Sequence, residues 1–63
     1  MPPVDPLDWA KHPRSPEALR FLVQAAKNDR VLYRILTQLV DDKVCTATGV
    51  LLRRWDGARW VKH

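Results

Sequence analysis

The last thirteen residues, LLRRWDGARWVKH, set Arg53, Arg54, Arg59 and the indoles of Trp55 and Trp60 around one Asp56-Gly57 dipeptide, with Lys62 close behind. Guanidinium groups recognise phosphates and carboxylates through paired N–H donors. Indoles supply flat apolar area that packs in a core, stacks on a base or anchors a protein interface. A second set, Arg30, Arg34, Thr37 and Gln38, falls at spacings of 4, 3 and 1, which gathers them on one side of a helix. Arginine and glutamine present paired groups able to meet base edges, and threonine bonds phosphate or touches a thymine methyl. Both sets have the chemistry of binding. Catalysis finds no counterpart, because the chain has no acid pair, no Gly-rich phosphate loop and no local cysteine–histidine signature. His12, Cys45 and His63 lack the paired spacing of a zinc site, so neither a metal nor another cofactor is expected.

Charge distribution sharpens this reading. Residues 1–42 hold six basic and six acidic side chains. Residues 43–63 hold Lys43, Arg53, Arg54, Arg59 and Lys62 against Asp56 alone, five minus one, so the whole net charge of +4 lies in the last third. Such asymmetry favours an acidic partner, nucleic acid first. Its plain alternative is a solvated basic face that keeps a small protein soluble.

Sixty-three residues enclose one small core, burying roughly 60% of the surface of the unfolded chain. A single domain over 1–63 is expected, with residues 1–4 flexible after Pro2 and Pro3. Cys45 is the only cysteine, so no internal disulfide can staple the fold, and a homodimer is one route to stability. The unpaired thiol, the lack of a targeting signal and the lack of any apolar run of about 20 residues imply a cytoplasmic protein with no membrane partner.

The positioning elements follow from caps and periodicity. DPLDWAKH, with Asp5 as N-cap, Pro6 at the first position and Pro13 as stop, predicts a short helix over 6–11 that Leu7 and Trp9 anchor to the core. SPEALRFLVQAAKN predicts a second over 16–27, capped by Ser15. RVLYRILTQLVDD predicts a third over 30–41, capped by Asp29, with Leu32, Ile35, Leu36, Leu39 and Val40 forming its apolar face. Leu19, Leu22, Val23, Leu32, Ile35, Leu36, Leu39, Val50 and Leu52 are the expected core.

Asp-Gly between alternating runs signals a two-residue hairpin turn. Closed directly, it opposes Trp55 to Ala58, Arg54 to Arg59 and Arg53 to Trp60. One face then carries Leu51, Arg53, Trp55, Ala58, Trp60 and Lys62, and the other Val50, Leu52, Arg54, Arg59, Val61 and His63. Opposed arginines repel, and a pair that tolerates this cost is placed to straddle a phosphate. VCTAT offers a third strand, bent at Gly49. The class is therefore α+β: three helices, the first short, then a C-terminal hairpin of two or three strands.

The run from Arg30 to His63, a polar-faced helix followed by LTQLVDDKV and a basic hairpin, resembles the second half of a winged helix-turn-helix domain. The resemblance implies a small DNA-binding transcriptional regulator, with Arg30, Arg34, Thr37 and Gln38 in the major groove and Arg53, Arg54, Arg59 and Lys62 on the flanking backbone. An alternative reading of the same residues is a phage- or plasmid-type protein that inhibits or modulates a host protein, docking through Trp55 and Trp60. A third is an RNA-binding or ribosome-associated protein.

Overall fold

A computed structural model describes residues 5–63. The expected flexibility of residues 1–4 lies outside the described residues. The order is α1 (Asp8–Lys11), α2 (Pro16–Ala26), α3 (Arg30–Asp41), β1 (Arg53–Trp55) and β2 (Trp60–Lys62), an α+β arrangement. No helix among the described residues is long and apolar enough to cross a membrane.

Helices α2 and α3 begin where their caps place them. Ser15, in extended backbone, accepts the Ala18 amide on Oγ at 3.2 Å, and Pro16 follows at the first helical position. Asp29 accepts the amides of Val31 and Leu32 on Oδ1 at 2.9 and 3.1 Å. Helix α2 stops one residue before the expected end, at Ala26, with Lys27 as its cap. Helix α1 is shorter than expected. Pro6 and Leu7 form a turn instead, and the Asp5 carboxylate accepts the Leu7 amide and the Lys11 ammonium rather than capping the helix.

The C-terminus of α3 forms a Schellman turn, in which the amide of Lys43 donates to Val40 O and that of Val44 to Leu39 O. Lys43 takes the left-handed position that glycine usually fills, at φ 64°. The turn drives Val44 and Cys45 inward, and the buried residues are Ala10, Pro13, Leu19, Leu22, Ala26, Leu32, Leu39, Val44, Cys45 and Leu51. Val23, Ile35 and Leu36, expected in the core, are only half-buried. Val50 and Leu52 are exposed, at 56% and 41%, because side chains alternate along extended backbone and Leu51 is the one turned inward. Trp9 is also exposed, resting edge-on against Phe21 rather than in the core.

Among the described residues no third strand forms. Residues 45 and 51 make one isolated bridge around a tight turn, where Gly49 has φ +92° and faces the Val23 side chain. The hairpin pairs Trp55 with Trp60, Arg54 with Val61 and Arg53 with Lys62, so the expected oppositions are each displaced by two residues. A two-residue turn of the expected type needs positive φ at both central positions. Gly57 has it and Asp56 does not. The Asp56 carboxylate instead accepts the amides of Ala58 and Arg59 at 2.7 and 2.9 Å, holding a four-residue loop over 56–59. A slip of two preserves side-chain parity, so the division into two faces survives.

Candidate functional site

The hairpin is held to the helices by rings and loop backbone. Each helix packs on the other two, but among the described residues no strand Cα lies within 8 Å of a helix Cα. The attachment is made by the Trp55 amide, which donates to Pro13 O at 2.9 Å, and by the amides of Leu52 and Arg53, which donate to Val44 O at 2.8 and 3.0 Å.

Above these bonds sits an aromatic cluster. The indoles of Trp55 and Trp60 meet edge-on at 5.2 Å, and His12 lies 4.4 Å from the first and 5.8 Å from the second. Asp8 orients the imidazole, accepting from Nδ1 at 2.8 Å, which places the hydrogen on that nitrogen. Trp60 also borders a cleft with Ile35, Gln38, Leu39 and Asp42 of α3 and its cap. Both tryptophans are half-buried. They fasten the hairpin and present only part of their surface outward.

The basic residues behave differently. Arg30, Arg34, Arg53, Arg54 and Lys62 are exposed, and among the described residues none lies within 4.0 Å of a carboxylate. Arg53 and Lys62 are directly opposed across the strands, a like-charge pair, whereas the expected Arg54–Arg59 pair does not form, because Arg54 faces Val61. Arg59 sits in the loop and not on a strand, with Nε 3.9 Å from Asp56, a long, exposed ion pair that adds little. The two loop amides, with Arg59 and Arg54 nearby, hold the Asp56 carboxyl below the usual carboxylate range.

On α3, Arg30, Arg34, Thr37 and Gln38 are exposed as expected. Gln38 donates to Asp42 at 3.1 Å and the Thr37 hydroxyl donates to Tyr33 O at 2.9 Å, so the two arginines are the uncommitted members. They also border an open recess of about 650 Å³ at the α2–α3 joint, together with Lys27, Asn28, Asp29 and Tyr33. Lys27 and Tyr33 were not among the expected site residues. Each sits at a helix junction, where helical periodicity carries no information about which residues meet.

Cys45 is buried, and desolvation pushes its thiol up from the ordinary value, so it belongs to the core. Among the described residues no three His, Cys, Asp or Glu side chains gather into a metal-binding group. No protein-family model, curated protein or solved structure matches this chain.

Proposed function

We propose that the chain is a small cytoplasmic DNA-binding protein, a transcriptional regulator of winged-helix type that acts by binding rather than by catalysis. The observation that carries this reading is the set of five exposed cations on α3 and the hairpin that have no carboxylate within 4.0 Å. Such cations gain by displacing the counterions condensed on a duplex. Arg30 and Arg34 enter the major groove from α3, while Arg53, Arg54 and Lys62 hold flanking phosphates. Gln38 reads a base edge by exchanging its bond to Asp42. Arg59 touches backbone from the loop tip. A homodimer would set two α3 helices on two half-sites.

A second reading, docking on a host protein, is favoured by Val50 and Leu52, two large apolar side chains exposed just before the hairpin. A pull-down from lysate with and without nuclease separates the two. Loss of the captured complex on nuclease treatment supports DNA. A complex that survives nuclease and is abolished by Val50→Ser or Leu52→Ser, with the fold intact, supports docking.

A further inference from the structure

Three cations and one aromatic ring converge where α2 meets α3. Lys27, Arg30 and Arg34 border the recess of about 650 Å³ with Tyr33. None of the three has a carboxylate within 4.0 Å among the described residues. Among the described residues Asp29 is the only acid on the rim, and its Oδ1 is committed to the amides of Val31 and Leu32. Those two amides are therefore taken. What remains is side-chain charge, three positive against one negative, a net of +2.

Tyr33 makes the recess more than a basic patch. Its side chain is mostly exposed, at 61%. It also borders a second, mostly apolar groove of about 250 Å³ with Val23, Ala26, Leu36 and Lys27. Tyr33 thus borders both the groove and the recess, as Ala26 and Lys27 do.

An aromatic platform beside unpaired guanidinium groups suits an unpaired nucleotide, because the cations take the phosphate and the base stacks on the ring. A duplex keeps its base faces stacked inside and leaves Tyr33 idle. An acidic peptide would use the cations and leave it idle too. We propose that the recess binds single-stranded nucleic acid, with one base stacked on Tyr33 and the adjoining phosphate held by Lys27, Arg30 and Arg34. This activity goes beyond duplex binding and needs no hairpin residue.

The test is fluorescence anisotropy at low salt with a labelled twelve-nucleotide oligothymidylate and, in parallel, a duplex of the same length. Tyr33→Ala is expected to weaken the single strand by about 5- to 150-fold, the loss of one stacked base, and to leave duplex affinity within about twofold. Tyr33→Phe keeps the stacking face and is expected to bind both as the wild type does. Lys27→Glu, at an exposed position, tests the recess without touching the ring and is expected to weaken the single strand as well. Thermal melts by circular dichroism confirm that each variant is folded.

Competition by AMP assigns the recess to a free nucleotide, and its failure to compete assigns it to a polymer; either outcome keeps the nucleotide site. Equal single-strand affinity of Tyr33→Ala and wild type overturns the proposal. So does displacement of the oligonucleotide by polyglutamate at lower concentration than by unlabelled oligonucleotide, which marks an acidic-peptide site. Absence of single-strand binding by the wild type also overturns it, whatever the duplex assay returns.

Discussion

The imidazole of His12 stands 4.4 Å from the indole of Trp55 at an interplanar angle of 41°, held there by Asp8 at 2.8 Å. This contact joins the end of α1 to a hairpin whose strand Cα atoms stay more than 8 Å from every described helix Cα. Replacing His12 with alanine removes two ring contacts worth about 0.5–1.5 kcal/mol each. The expected result is a loss of about 1–3 kcal/mol in urea melts, with tryptophan emission shifted to the red in the folded baseline. An unchanged emission spectrum would mean that the hairpin is held without the ring cluster.

Lys43 occupies a left-handed position at φ 64° in the turn that ends α3. Left-handed backbone costs a side-chain-bearing residue roughly 1–2 kcal/mol, part of which glycine returns through its more mobile unfolded state. Lys43→Gly is expected to stabilise the fold by about 1 kcal/mol, read as a higher midpoint in urea. A lower midpoint would show that the ammonium at the helix C-terminus outweighs the backbone strain.

The core has a clear hierarchy. Leu22 is fully buried whereas Leu36 is half-buried. Leu22→Ala is therefore expected to cost about 2–5 kcal/mol, enough to abolish a cooperative melt in a domain this small, and Leu36→Ala is expected to cost less and leave the melt intact. Equal losses at the two positions would contradict the packing.

Acid sensitivity should reside in Asp5 and Asp56. Lys11 and the Leu7 amide lower the pKa of Asp5, and the amides of Ala58 and Arg59 lower that of Asp56, both from an ordinary 3.8. A carboxyl whose folded pKa is depressed contributes stability that is full above its unfolded value and is lost as pH falls through the folded one. Melting midpoints are expected to hold steady above about pH 5 and to fall below pH 4, and the double variant Asp5→Asn, Asp56→Asn is expected to flatten that acid limb. An acid limb unchanged in the double variant would place the sensitivity elsewhere.

The parts of this fold that were legible in sequence are those governed by local chemistry. Ser15-Pro16 and Asp29 announced α2 and α3, because a cap acts within one turn of its own residue. Alternation alone placed the two tryptophans on one face, since even a wrong register with the right parity preserves it. The register itself was misread, because Asp56 bonds the loop amides through its side chain instead of adopting the backbone that a shorter turn requires. Val44 and Leu51 were missed from the core, because the Schellman turn and a lone bridge bring them inward, and neither has a hydrophobic period. Of the site, the arginines on α3 and the hairpin were visible from charge and spacing. Lys27 and Tyr33 were not, since their neighbourhood is made by the angle between two helices.

The most direct measurement is duplex-DNA affinity by anisotropy over a salt series, for the wild type and for Arg53→Ala, Arg54→Ala together. Binding carried by unpaired cations is expected to weaken linearly in log salt, and removing two phosphate contacts is expected to lower the slope by about 1.8, at roughly 0.9 per contact. No measurable duplex affinity at low salt, or a slope unchanged in the double variant, would contradict DNA binding through α3 and the hairpin.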